Sequence, residues 1–172
     1  MTANSHPVPR TAHNPQLLIM GIGNTLLQDE GIGIHLLNHW LKIAPTPNPL
    51  HIRALDAGTL SFTLAADIAW ASHLLVLDAA QLKQAAGAVQ CFENAAMDQF
   101  LGQSRCSVHE VGLIDLMDIA RLTDTLPPTR ALIGIQPEII AWGEQPSPAV
   151  AAAIPAALAH MDRLLHSWDI LP

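Results

Sequence analysis

The sequence predicts an α/β fold: a three-layer αβα sandwich built on a mostly parallel, twisted sheet. Short apolar runs of strand length alternate along the chain with longer segments whose apolar residues recur at helical spacing. The run over 73–78 is almost continuously apolar, as parallel strands are when helices cover both faces of their sheet. With 172 residues, half of them hydrophobic, the chain suits one domain with a sizeable core.

The first strand begins at Leu17 and breaks at glycines. The helix after it presents an apolar stripe formed by Ile34, Leu36, Leu37, Trp40 and Leu41. Further strands are predicted over 51–56, 73–78, 88–93 and 130–135, and further helices over 60–70, 108–122 and 147–167. We expect the helix over 60–70 to be well buried, since it is apolar on several sides, and the strand over 88–93 to lie at a sheet edge.

Local signals mark where several of these elements begin and end. The proline-rich stretch from Pro45 to Pro49 cannot continue the first helix and predicts a stiff surface connection. Ser107 and Glu110 have the spacing of a capping box, which predicts a helix start there. Ser147 followed by Pro148 predicts the start of the last helix.

Composition narrows the function classes. Residues 1–15 are polar and proline-containing, so we expect a mobile N-terminal tail, with 16–172 forming a single domain. The net charge is −7 with only eight Lys and Arg, which argues against binding to nucleic acid or to anionic membranes. No apolar run is long enough to span a bilayer. Cys91 and Cys106 lie far apart in sequence, as expected of a reduced, cytoplasmic protein.

The loop after the first strand favours a cation over a phosphate. Gly21 and Gly23 imitate the start of a dinucleotide-binding fingerprint, but Leu26 stands where the third glycine is needed. The adjacent acids Asp29 and Glu30 would also repel a phosphate at the following helix start. We therefore expect no nucleotide. The alternative for the acids is that they only stabilise the positive end of the helix dipole.

Further polar residues follow other strands, and parallel strands end at one edge of a sheet. The set expected at this edge is Asp29, Glu30, Asp56, Asp78 and, at a helix start, His109. Carboxylates with one imidazole resemble a first-row metal site that leaves positions open for substrate or water.

Each member of this set also has an ordinary structural explanation. Asp56 could brace the turn at Gly58 and Thr59, because Asp side chains bond to backbone groups two residues on. Asp78 could satisfy loop amides, and His109 could be a common helix-start histidine. Convergence of all these elements on one edge favours the metal-site interpretation.

These residues also lie in motifs that resemble those of the hydrogenase maturation proteases, over residues 17 to about 158. The motif segments are Gly21–Gly33, Leu55–Thr59, Leu77–Ala79, Ser107–Leu113 and Ile133–Glu138 with Ser147–Pro148. Ala57 departs from the pattern, since a second glycine is expected there.

The resemblance implies a phosphorylase/hydrolase-like fold and an endopeptidase. It implies removal of the C-terminal extension of the nickel–iron hydrogenase large-subunit precursor after nickel insertion. The metal-ligand positions fall on Glu30, Asp78 and His109, and the motif aspartate falls on Asp56. Nickel is expected to arrive with the substrate as the recognition signal, and other divalent metals are expected to substitute in vitro.

Two questions stay open at this point. Nickel could polarise the scissile carbonyl or activate water, or it could only position the substrate while Asp56 serves as general base. The same site could also belong to a non-catalytic nickel-binding chaperone or checkpoint protein for hydrogenase assembly.

Overall fold

The computed structural model describes residues 15–44, 51–103 and 108–170, without the side chains of 108–111. Its strands are β1 (Leu17–Ile22), β2 (Ile52–Gly58), β3 (His73–Ala79), β4 (Val89–Glu93) and β5 (Thr129–Ile135). Its α-helices are α1 (Ile32–Ile43), α2 (Ala65–Trp70), α3 (Ala95–Gln103), α4 (Val108–Leu122) and α5 (Pro148–Ser167). Short 3-10 turns cover Gln28–Gly31 and Phe62–Leu64. Residues 1–14 of the expected N-terminal tail (1–15), the connection at 45–49 and the cap at Ser107 lie outside the described residues.

The described strands form one five-stranded sheet in the order β2-β1-β3-β5-β4. β1 pairs in parallel with both β2 and β3, and β3 pairs in parallel with β5. β4 runs antiparallel along β5 at the sheet edge. The mostly parallel sheet and the edge position of the strand near 88–93 are therefore confirmed.

Helices cover both faces of this sheet. Successive residues of β1 alternate between two apolar clusters: Leu17 and Ile19 pack with α1 and α5, whereas Leu18 and Met20 pack with α2, α3 and α4. This alternation is what a pleated strand with two buried faces requires. The three-layer α/β architecture predicted from the sequence is confirmed. None of the helices in the described part is long and apolar enough to cross a bilayer.

Three local predictions were wrong or missing. The expected well-buried helix over 60–70 is a 3-10 turn followed by the short α2, and within that segment Ile68 alone is buried. Leu41 is exposed because it lies at the margin of the α1 stripe. Helix α3 was not predicted; its buried Met97 and Leu101, four residues apart, were the available signal.

Glycines allow α1 to begin directly against the ends of two strands. A Cβ atom on Gly33 would lie 2.1 Å from the carbonyl oxygen of Leu77 in β3 and 2.4 Å from that of Ile22 in β1. Gly23 has φ +134°, and a Cβ there would lie 1.9 Å from the carbonyl oxygen of Glu30. Only glycine fits such approaches, so these residues hold the turn carrying Glu30 against the carboxyl end of the sheet.

Asp29 joins this turn to the loop before α5. The side chain is fully buried. Its Oδ2 accepts hydrogen bonds from the backbone N–H groups of Glu138 and Ile139, both at 2.8 Å, and from the Ser147 hydroxyl at 2.9 Å. Its Oδ1 accepts from the backbone N–H of Ser147 at 2.6 Å. The carboxylate therefore fixes both ends of the loop spanning 138–147.

The charge on Asp29 is stabilised by these donors. Burial by itself raises the pKa of Asp29, but hydrogen bonds from Ile139, Ser147 and Glu138 outweigh burial and lower the pKa below the ordinary 3.8. Since the folded-state pKa is depressed, the stabilisation is complete above the unfolded-state pKa. It is lost as pH falls through the folded-state value.

We predict that Gly33→Ala destabilises the protein by about 3 kcal/mol or more, because the new methyl group must displace the backbone of β1 or β3. Urea unfolding measures this change. The control is Gly102→Ala in α3, where a Cβ has no atom within 4 Å; this substitution should be neutral or slightly stabilising. Equal stability of the two variants would contradict the close packing at Gly33.

We predict that Asp29→Asn lowers the free energy of unfolding by about 3 kcal/mol at pH 7, because an amide nitrogen would face N–H donors and leave them unsatisfied. The difference in unfolding free energy between the variant and the native protein should become smaller only below about pH 4, where Asp29 in the unfolded chain becomes protonated. Urea unfolding between pH 7 and pH 3 tests both statements. The exposed Asp162→Asn is the control, and a difference that stays constant with pH would refute the buried-charge explanation.

Candidate active site

The carboxyl end of β3 and the turn before α1 form the centre of the candidate site. Glu30 lies on the 3-10 turn Gln28–Gly31, is half-buried, and follows directly on the buried Asp29. That turn contacts β3, whose Asp78 is 4 % exposed. Since Gly33 also rests on Leu77, the residue before Asp78, the structure brings Glu30 and Asp78 to the same corner of the sheet.

Strand alternation directs Asp78 toward α4. In β3, Leu75 and Leu77 pack on the side of α1, and Leu74 and Val76 pack on the side of α4. Asp78 continues the second series, since side chains two apart share a face. Helix α4 begins at Val108, so the backbone of His109 lies in its first turn. The His109 side chain lies outside the described residues, so its predicted ligand role stays a prediction.

Asp56 lies on the other side of β1. Its Oδ1 accepts a hydrogen bond from the backbone N–H of Gly58 at 2.9 Å, so the turn-bracing role is present. β2 bulges here, because Gly21 faces Asp56 and the next residue, Ile22, faces Gly58. Asp56 is exposed and two strands from Asp78, with backbones roughly 10 Å apart by the usual strand spacing. This distance suits a group that acts on a bound substrate better than a ligand shared with Asp78.

The expected set is therefore divided by the structure. Asp29 belongs with the loop before α5 and has its oxygens engaged by that loop, which leaves Glu30 as the acid of the turn that can face a cation. Among the side chains described, no three of His, Cys, Asp or Glu are grouped to hold a metal. This finding does not test the predicted triad, because one of its three members is His109.

A cleft of about 440 Å³ lies between the turn after β2 and helix α4. It is lined by Thr59, Leu60, Ser61, Phe62, Gly112, Asp115 and Leu116. Gly112 lies three residues beyond His109, and an added Cβ there would meet the Leu60 side chain at 3.4 Å. Leu60 has φ +69°, which is rare for a branched side chain and typical of functional turns.

Cys91 offers no alternative nucleophile. Burial, with the charge of Glu93, raises the pKa of its thiol to about 11 despite the opposing charge of Arg163. The thiolate is therefore scarce at neutral pH. Cys91 lies in the edge strand β4, two strands from β3, and packs against the α1 and α5 cluster, on the opposite face of the sheet from Asp78. Cys106 lies outside the described residues.

Sequence reasoning missed two buried polar residues that support the site. It did not distinguish Asp29, which holds a loop, from its neighbour Glu30. It also missed the role of Gln136, 8 % exposed, whose Oε1 accepts a hydrogen bond from the backbone N–H of Leu82 at 2.8 Å. This bond ties the segment after β3 to the segment after β5. The signal for Gln136 was an amide side chain at a strand end, where buried backbone donors need acceptors.

Comparison with known proteins identifies a family. The family model described as hydrogenase maturation protease (HycI) matches residues 36–163. The hydrogenase expression/formation protein HupD of Rhodobacter capsulatus is 32% identical over 156 residues, 90% of this chain and 73% of that protein. The hydrogenase 2 maturation protease of Escherichia coli K12 is 31% identical over 144 residues, 83% of this chain and 86% of that protein.

The fold is shared with a solved member of the same group. The hydrogenase maturating endopeptidase HybD from Escherichia coli superimposes with a TM-score of 0.80 at 29% identity, covering 88% of this chain and 93% of that one. The family match and the shared fold lead to one assignment: the chain belongs to the hydrogenase maturation protease family.

Proposed function

We propose that the protein is an endopeptidase that removes the C-terminal extension of the nickel–iron hydrogenase large-subunit precursor after nickel has been inserted. The observation that carries the proposal is the corner formed by Glu30 and Asp78, beside the start of the helix that bears His109, in a chain of this family. We also propose that the protein acts in the cytoplasm.

The donor chemistry fits recognition of nickel carried by the precursor. Glu30 and Asp78 supply carboxylate oxygens, and His109 supplies an imidazole nitrogen, ligands that suit divalent first-row metals. Three donors leave the coordination shell incomplete, so groups on the precursor would complete it. Other divalent metals with similar preferences should substitute in vitro. An empty precursor lacks the metal, and the complex then loses the contacts that position the scissile bond.

Asp56 is proposed to act as the general base for the attacking water. The hydrogen bond from Gly58 engages its Oδ1 and fixes the side chain, while the carboxylate as a whole remains exposed. By strand alternation Asp56 continues the series of Ile52 and Ala54 on the α1 side, whereas Asp78 lies on the α4 side. The two can therefore meet one peptide only at the carboxyl edge of the sheet, where β2 and β3 both end. The cleft lined by Leu60 and Phe62 then receives the chain on one side of the scissile bond.

We predict that Glu30→Gln and Asp78→Asn each lower precursor processing by at least about a hundredfold while the fold is kept, since both changes preserve size and remove a ligand charge. Gel analysis of purified nickel-loaded precursor measures the rate. The matched controls are the exposed Glu93→Gln and Asp162→Asn, which lie outside the site and should process normally.

The same series tests whether the ligands act together. The double variant Glu30→Gln with Asp78→Asn should be little worse than the poorer single variant, because residues that share one metal act as a unit. Fully additive losses in processing rate would place the two carboxylates in separate sites. Normal processing by either single variant would show that the substituted residue is not a metal ligand.

We predict that precursor from nickel-starved cells is not cut, even when the protease has first been incubated with nickel. The same precursor should be cut once nickel has been inserted into it, because only then do protease and substrate together complete the coordination shell. Cleavage at a comparable rate in the presence of a strong chelator would contradict nickel recognition. Stable binding of loaded precursor without any shortening would instead show a checkpoint protein.

A further inference from the structure

Large apolar side chains are exposed on the loop that Asp29 fixes and on the turn beside it. The exposed fractions are 49 % for Leu26, 43 % for Ile139, 55 % for Ile140 and 82 % for Trp142. We call these four residues the apolar patch. Exposed apolar residues on adjoining segments of a folded domain mark an interaction surface.

The patch is held rigidly. Ile139 donates its backbone N–H to the buried Asp29 carboxylate, and its carbonyl oxygen accepts from the backbone N–H of Asp29 at 3.3 Å. On the far side of Trp142, the backbone N–H of Gly143 donates to the carbonyl oxygen of Leu26 at 3.0 Å. The apolar side chains therefore sit on a backbone fixed from both sides. A preorganised surface loses little entropy when a partner binds, which is typical of a docking site.

The patch borders the proposed site directly. Leu26 lies four residues before Glu30, and the backbone N–H of Glu30 donates to the carbonyl oxygen of the intervening Leu27 at 3.2 Å. A macromolecule whose metal reaches Glu30 must therefore lie against or beside the patch. The cleft at the turn after β2 and helix α4 is lined by other residues, so it and the patch are separate surfaces.

We propose that the apolar patch binds the folded body of the large-subunit precursor, while Glu30 and Asp78 bind the metal that the precursor carries. This proposal rests on the proposed function. Charge favours that partner over a second copy of this chain. The exposed Glu138 and Glu144 flank the patch, and the chain carries a net charge of −7. Two copies docked through this surface would juxtapose like charges and cover Glu30. A partner with an apolar surface bordered by Lys or Arg avoids the repulsion, and one that carries the metal engages Glu30 as a ligand instead of blocking it.

The test is the double variant Ile140→Ser with Trp142→Ser, assayed on purified nickel-loaded precursor. Steady-state cleavage should show KM raised by about tenfold or more, because aromatic anchors dominate docking energy. The kcat should stay within about twofold, because the ligands and Asp56 are untouched. The matched control is Ile43→Ser with Leu122→Ser, which removes apolar side chains 67 % and 87 % exposed at the ends of α1 and α4. The single variant Trp142→Phe keeps an aromatic ring and should retain most of the affinity for the precursor.

Binding is measured separately from cleavage. The Glu30→Gln variant, which should process the precursor poorly, is tested for binding to immobilised precursor. Adding the two patch substitutions to Glu30→Gln should weaken precursor binding by about tenfold or more. Native KM in the patch variant, together with cleavage by the native protein, would overturn the docking proposal and leave the protease assignment intact. Binding that depends on the patch without cleavage by the native protein would support docking and overturn the protease. Conversion of a native dimer to a monomer in sedimentation by the patch variant would overturn the precursor as occupant in favour of a second copy.

Discussion

The Asp29 carboxylate is the interaction on which the rest of the site depends. It accepts hydrogen bonds from Glu138, Ile139 and Ser147, residues more than a hundred positions away in sequence. Each hydrogen bond to a buried charge contributes about 1.5–3 kcal/mol net, so together they offset the cost of burying the carboxylate. The loop before α5 and the turn before α1 consequently behave as one rigid unit. Glu30 and the apolar patch both belong to that unit.

Glycine packing adds a second constraint that complements the first. Gly33 lets the start of α1 touch the carbonyl oxygen of Leu77, so the turn carrying Glu30 lies beside the end of β3. Asp29 sets the turn against one loop, and Gly33 sets it against the sheet. The backbone that carries Glu30 is therefore fixed before any metal binds, so only the rotation of the side chain remains to be restricted. This preorganisation is what recognition of a metal delivered by a substrate needs.

The sequence predicted the parts of this fold that depend on regular periodicity. The alternation of Leu17 to Met20 between two apolar clusters, and the start of α5 at Ser147, follow local rules that a sequence displays. It could not separate Asp29 from Glu30, because both acids suit a helix start. Their difference arises from donors supplied by a distant loop. The prediction of a well-buried helix after β2 was wrong for a related reason. Leu60 adopts a left-handed conformation, and α2 consists mostly of small residues, so Ile68 is the buried residue of that helix.

A docking surface and an incomplete metal site would divide the task of substrate selection. In this proposal, contacts at the apolar patch would form with any correctly folded precursor, loaded or empty, and would raise affinity without discriminating. The carboxylates at the corner would gain contacts only when the metal is present, so the difference in free energy between loaded and empty precursor would arise there. Strong docking with weak metal ligation would therefore bring every precursor to the protease. Cleavage would be reserved for those in which the metal completes the geometry around the scissile bond, which places the selectivity in the chemical step.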